Sequence, residues 1–296
     1  MWLIAGATGY IGGLLAERLA ADGGEVRCLA RDPGAARAKL DDRCEIVAGD
    51  VLDAATLDAP QAGVDVAYYL VHSMGRGGDA GFEERDRRGA RNFATAAKAA
   101  GVERIVYLGG LGEATSPHLR SRHETAVGLA STGIPLTYFR ASIVIGSGSE
   151  SLRTIAYLVR RLPAMVTPSW TSTRTEPIAA ADAVGYLAGA LGVPASAGRE
   201  IEIGGREITT YGGLLDICAR AQGKRPRPRI GVPLLSPGLS SRWLGLVTPV
   251  DAGVARPLVE GLATETVVED PSGMELFDVE PTPLEDAMRT AIDELF

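Results

Sequence analysis

The stretch Trp2-Leu3-Ile4-Ala5-Gly6-Ala7-Thr8-Gly9-Tyr10-Ile11-Gly12-Gly13 decides the fold. Its first four residues are an apolar run of buried-strand length, closed by glycine. From Ile11 the apolar residues recur at helical spacing, as Ile11, Leu14, Leu15 and Leu19, until Gly23-Gly24 ends the pattern. A strand, a glycine turn and a helix in that order leave free backbone N–H groups at the helix start. Gly6 permits a tight turn, Gly9 lets a ligand approach the backbone, and Gly12 lets the helix pack close to the strand. Those N–H groups and the helix dipole favour an anion by roughly 0.3–1 kcal/mol. The pattern predicts a Rossmann half that holds a dinucleotide pyrophosphate on Gly6, Thr8, Gly9, Tyr10, Ile11 and Gly12. A glycine triad alone is a weak signal; the strand before it and the helix after it make this one specific.

Working outward, short apolar runs alternate with helix-period segments. Strands are expected at Val26–Ala30, 45–47, 64–71, 104–108 and 136–139, with a short helix over 52–57 and longer ones over about 81–100 and 122–131. Right-handed crossovers then give an α/β fold, a doubly wound parallel sheet covered on both faces. The charged run Glu83-Glu84-Arg85-Asp86-Arg87-Arg88 reads as a solvated helix face.

The pattern changes after Gly146. Residues 1–146 read as the dinucleotide-binding domain and 147–296 as a smaller substrate or cap region, from which 178–205 return to the main sheet through a strand at Glu200–Ile203. Leu152, Ile155, Ala156 and Val159 mark an amphipathic helix, and 180–191 another. The last helix carries Thr282 as N-cap, Pro283 at its first position and Glu285 completing a capping box. Trp170, Tyr186, Trp243 and Leu244 fit either a core or an apolar pocket between the regions.

Hydrophobic residues make up 46 % of the 296 and charged residues 23 %, as in an ordinary globular chain. A net charge of −7 gives no footprint for nucleic acid. No apolar run approaches the ~20 residues that span a bilayer. The first strand begins at Trp2, so a cytoplasmic protein without a signal peptide is expected. Cys28, Cys44 and Cys218 lack metal-ligand spacing and read as inert thiols; no metal is expected. The partner is an unidentified small-molecule substrate or effector, and an oligomer is compatible with the sequence.

Arg31 follows the second strand, where a basic residue suits the 2′-phosphate of NADP; Asp32 turned inward would instead suit NAD. Asp50 and Val51 follow the third strand, where an adenine would sit, although Asp50 is equally fit to cap the next helix. His72, with Ser73 and Met74, lies past the fourth strand beside the expected nicotinamide, either as a donor or as an ordinary loop histidine. Gly75-Arg76-Gly77-Gly78 reads as a lid or a plain linker. Arg140 closes the sixth strand and suits a substrate anion or a neighbouring carboxylate. Lys224-Arg225-Pro226-Arg227-Pro228-Arg229 reads as a solvated turn or a phosphate contact.

Gly6-Ala7-Thr8-Gly9-Tyr10-Ile11-Gly12, Gly49-Asp50-Val51, Ala90-Arg91-Asn92-Phe93 and Gly101-Val102-Glu103-Arg104-Ile105-Val106-Tyr107 resemble the atypical extended short-chain dehydrogenase/reductase superfamily. Within it the chain is most similar to the NmrA-like and complex-I-accessory-subunit-like NAD(P)H-binding proteins. Tyr69-Leu70-Val71-His72-Ser73-Met74, Ser116-Pro117-His118-Leu119-Arg120-Ser121-Arg122 and Leu246-Val247-Thr248-Pro249-Val250 resemble a mostly bacterial subgroup of these. The resemblance implies NADP or NAD as cofactor and leaves two functions open. One is an oxidoreductase on a small apolar substrate such as a quinone or carbonyl compound. The other is a non-catalytic NAD(P)H redox sensor or assembly factor.

Dehydrogenases of the superfamily share a serine after the fifth strand and a Tyr-x-x-x-Lys on the next helix. Here the strand runs Tyr107-Leu108-Gly109-Gly110-Leu111, without that serine. The tyrosine position falls on His118 and the lysine position on Arg122, which makes these the candidate catalytic residues and Arg122 a candidate ribose contact. An arginine stays protonated and cannot shuttle a proton, whereas a histidine starts from a pKa of ~6.5.

Overall fold

The structure, a computed structural model, describes residues 1–72, 81–113, 116–167, 169–231 and 264–296. Ser73, Met74, the 75–78 run, Trp243, Leu244 and the 246–250 segment lie outside the described residues, as does the side chain of Trp170. In chain order the first half comprises β1 (Trp2–Ala5), α1 (Tyr10–Ala21), β2 (Val26–Ala30), α2 (Pro33–Arg37), β3 (Glu45–Ala48), α3 (Asp58–Gln61), β4 (Val66–Tyr69), α4 (Phe82–Ala100), β5 (Arg104–Gly110), α5 (Pro117–Ala130) and β6 (Leu136–Ala141). The second half comprises β7 (Val144–Ile145), α6 (Glu150–Arg161), β8 (Met165–Thr167), β9 (Arg174–Thr175), β10 (Ile178–Ala179), α7 (Ala180–Gly189), β11 (Glu200–Ile203), β12 (Thr209–Thr210), α8 (Tyr211–Ala221), β13 (Arg229–Gly231) and α9 (Leu284–Leu295).

Seven strands form one parallel sheet in the order β3-β2-β1-β4-β5-β6-β11. β1 lies between β2 and β4 and helices cover both of its faces, which is why Trp2–Ala5 is wholly apolar. Ile4 packs in one core cluster with Leu15, Leu19 and Tyr186 from α1 and α7. Leu3 and Ala5 pack in another with Phe93, Ala97 and Leu129 from α4 and α5. Tyr186 is thus core, edge-on to Phe277. A third cluster, including Leu152, Leu214, Cys218 and Met288, joins α6, α8 and α9. The sheet order reverses direction between β1 and β4, and the crevice at their carboxyl ends is where this fold takes ligands.

Four local expectations need correction. No α-helix spans 52–57; a 3₁₀ turn occupies Ala54–Thr56, capped by Asp53 through the Ala55 N–H. The helix expected from 122 begins at Pro117, because Ser116 accepts the Leu119 N–H at 3.2 Å and proline suits the first position. The run 83–88 is not all solvated: Asp86 is 5 % exposed and accepts the Ser121 hydroxyl at 3.0 Å. Thr282 does not cap α9, because its N–H and hydroxyl both donate to Asp182 at 2.8 Å; Glu207 takes the Leu284 N–H instead.

The basic run after α8 has a local structural role. Lys224 donates to the Arg160 carbonyl at 3.1 Å, and Arg227 donates twice to the Val159 carbonyl, at 3.2 and 3.1 Å. These cations satisfy the last carbonyls of α6 and complement its dipole.

Candidate functional site

The glycine loop has the backbone that a close ligand requires. Gly6 sits at φ +94°, and a Cβ there would lie 2.6 Å from the Leu70 carbonyl. A Cβ on Gly12 would lie 2.3 Å from the Gly6 oxygen, so the helix touches the turn. On Gly9 it would meet only that same oxygen, at 3.2 Å, so protein does not fill the space on that side. Gly9 is the N-cap of α1, and no side chain caps it. The first-turn N–H groups of Tyr10, Ile11 and Gly12 therefore have no helical partner and can bind an anion. Thr8 is exposed, Ile11 packs against the core, and the ring of Tyr10 lies against Gly146 and Gly148.

Arg31 is exposed just past β2, beside this loop in the sheet order. Asp32 is the N-cap of α2 and accepts the Ala35 N–H at 3.0 Å, so its carboxylate is engaged with the helix. Past β3, one Asp50 oxygen takes the Leu52 N–H at 2.9 Å in a tight local turn. Val51 is 7 % exposed and belongs to the core, and its carbonyl accepts the Asn92 amide at 2.9 Å.

His72, His118 and Arg122 come together at the carboxyl end of the sheet. His118 and Arg122 lie one turn apart on α5, and the fields of Arg122 and His72 both reach His118. Burial, then Arg122, then His72 lowers the His118 pKa to about 3. The imidazole is therefore neutral near neutral pH and can exchange hydrogen bonds but not act as a cationic acid. Tyr107 donates to the Arg122 carbonyl at 3.2 Å and stacks on Tyr138, with ring centroids 5.2 Å apart. A Cβ on Gly109 would fall 2.6 Å from the Tyr138 ring and one on Gly110 2.7 Å from Leu119, so the two glycines that end β5 are closely packed by side chains.

Beyond these groups opens a cavity of about 810 Å³, lined by the loop after β5, the start of α5 at Ser116 and Pro117, Arg140, Glu202 and residues of the 264–269 segment. Arg140 pairs with carboxylates: its Nη1 lies 2.8 Å from Glu200 and 3.4 Å from Glu202. Its Nε and Nη2 donate to the Gly110 and Gly112 carbonyls at 3.3 and 2.5 Å. Glu202 also accepts the Glu269 and Asp270 N–H groups, at 2.7 and 3.2 Å. Sequence reasoning missed Glu113, Glu202, Glu265 and Glu269 on this wall, and distant segments supply them without a local signal. It also missed Asp86, whose spacing with Ala90, Phe93 and Ala97 does mark the buried face of α4. Among the described residues no group of three His, Cys, Asp or Glu could hold a metal ion. Burial raises the Cys28 thiol and pushes Cys218 up to about 11, which makes both poor nucleophiles.

A family described as NAD(P)H-binding matches residues 6–130. The ceramide reductase of Caulobacter vibrioides is 26 % identical over 260 residues, covering 86 % of this chain and 81 % of that protein. Among solved structures, the NADPH-dependent quinone oxidoreductase of Escherichia coli, complexed with NADPH, superposes with a TM-score of 0.77 over 100 % of both chains at 22 % identity. The triphenylmethane reductase of Citrobacter sp., complexed with NADP(H), gives 0.77 over 98 % of this chain and 99 % of that one at 19 % identity. Among the described residues no helix is long and apolar enough to cross a membrane. Residues 6–130 match the NAD(P)H-binding family, and the whole chain shares the Rossmann-like α/β fold of these solved structures.

Proposed function

We propose that this chain is an NADP(H)-dependent oxidoreductase acting on a small apolar acceptor such as a quinone or a carbonyl compound. The observation that carries the reading is the cavity of about 810 Å³ at the end of β5, beside the helix that bears His118 and Arg122. A protein that only sensed the cofactor would need no second chamber of that size next to it. The reductase-like fold and the reductase names of its relatives support the same reading.

The residues present fit the cofactor. Gly6, Thr8, Gly9, Tyr10, Ile11 and Gly12 would cradle its pyrophosphate, Asp50 and Val51 border the adenine, and His72 and Arg122 lie at the nicotinamide end, Arg122 on the ribose. Arg31 selects NADP, because the Asp32 carboxylate that would favour NAD is held by Ala35. When bound, the reduced cofactor supplies a hydride to the acceptor. The chain's own part is to orient the acceptor and hold its oxygen. Neutral His118 can donate a hydrogen bond to that oxygen, whereas the proton comes from solvent. General acid help contributes about 10²–10⁴-fold, so acceptors that take hydride without it, quinones foremost, suit this site better than simple ketones.

One observation favours a second reading. Tyr138 packs against Gly109 and β5 ends in two glycines without a hydroxyl, which suits a protein that binds NAD(P)H to report redox state or to assist assembly. NADPH consumption against a panel of quinones, aldehydes and ketones separates the two. The proposal expects turnover with quinones and little with simple ketones; tight NADPH binding with no turnover of any acceptor supports the sensor.

A further inference from the structure

Resting on the oxidoreductase reading, we infer that the cleft selects against anionic acceptors and favours those that are uncharged or carry a positive charge. Glu113, Glu202, Glu265 and Glu269 line the cavity, and among the described residues Arg140 is the cation on its wall. That guanidinium is not free to receive a carboxylate or phosphate. Its Nη1 faces Glu200 and Glu202, and its other donors hold the Gly110 and Gly112 carbonyls. An incoming anion would have to displace a carboxylate or break the turn after β5. Glu265 is 3.8 Å from Arg174 and more than half exposed, so it adds less to the wall than Glu202. The chain's net charge of −7 acts in the same direction.

Fields of this kind change encounter and affinity by tenfold or more in a walled cleft, and salt weakens them. The cofactor's own phosphates do not contradict this, because they lie at the N–H groups of α1 and at Arg31. The cavity instead begins past β5.

The test uses menadione and two analogues with side chains of equal length, one ending in a carboxylate and one in a trimethylammonium group. Binding to the NADP⁺ complex is followed by tryptophan fluorescence, and turnover with NADPH separately. We expect the carboxylate analogue to bind and turn over at least about tenfold less well than menadione at low salt. The ammonium analogue should match or exceed menadione. Glu269→Gln removes a wall charge but keeps the backbone N–H that holds Glu202; it should narrow the gap, as should added salt. Equal binding of all three overturns the inference and leaves the oxidoreductase reading standing. Charge-ordered binding without turnover does the reverse. Failure of all three to bind overturns the cavity as the acceptor's cleft, and this inference with it.

Discussion

The ring of Tyr10 rests on Gly148: a Cβ on that glycine would lie 2.2 Å from Tyr10 Cδ2, and one on Gly146 as close to the Tyr10 hydroxyl. Tyr10 opens α1 at the end of the glycine loop, and Gly148 belongs to the turn that leads into α6. The two glycines thus let the glycine loop lock onto the second half of the chain. Gly148→Ala overpacks this contact, a change that costs about 1–3 kcal/mol. We expect NADPH affinity to fall several-fold in the single variant. Gly148→Ala should add nothing once Tyr10→Ala has removed the ring. Additive losses in this double-mutant cycle would show that the contact does not position the loop.

Gly9→Val tests the cradle itself. Gly9 lies at φ −82°, ψ 170°, a conformation that valine adopts freely. With only the Gly6 oxygen near its Cβ, the variant should fold with an unchanged circular dichroism spectrum. Its branched side chain would stand where the pyrophosphate approaches, so calorimetry should detect no NADPH binding. A folded variant that binds normally would remove the cradle from this loop.

Arg31→Ala addresses the choice between cofactors. Hydrogen bonds to a charged group contribute roughly 1.5–3 kcal/mol, less where exposed. The wild type should bind NADPH about tenfold or more tighter than NADH, and the variant should lose most of that gap. Asp32→Ala should leave the preference in place and weaken only the start of α2. Equal wild-type affinities would reject the assignment of the 2′-phosphate to Arg31.

How much of this was legible in the sequence follows from how local each signal is. The loop Gly6–Gly12 and the strands on either side of β1 were readable because a buried parallel strand must be apolar and a tight turn must be glycine. Ser116-Pro117 is an equally local signal for the start of α5, since serine caps a helix and proline suits its first turn. Thr282 went wrong for a tertiary reason, since Asp182 lies on another helix. The substrate end was the least legible. Arg140, Glu202 and Glu269 meet only because β6 and β11 are neighbours and 264–269 folds back over them. No spacing in the chain encodes that.

His118 and Arg122 separate a binding role from a catalytic one. Arg122→Ala should weaken NADPH binding about tenfold, the effect of losing a charged hydrogen bond; His118→Ala should change it little. The pH dependence gives an independent check. The His118 pKa is lowered from 6.5 to about 3 in the fold, so below about pH 6.5 the unfolded chain takes up a proton that the folded one refuses. Stability therefore falls as pH drops through that window, by as much as about 2 kcal/mol near pH 5. Urea midpoints should show His118→Gln losing less stability than the wild type between about pH 7.5 and 5. Parallel losses would place His118 in solvent, outside the cluster.

The most direct measurement is a single turnover of the preformed NADPH complex with menadione, repeated with cofactor deuterated at the transferred position of C4. If the cavity holds an acceptor against the nicotinamide, bound NADPH is oxidised faster than free NADPH, and deuterium slows the decay. Gly9→Val shows neither effect. Bound NADPH that persists unoxidised, or decays at the rate of free cofactor without an isotope effect, would contradict the account and leave a protein that binds NAD(P)H without using it.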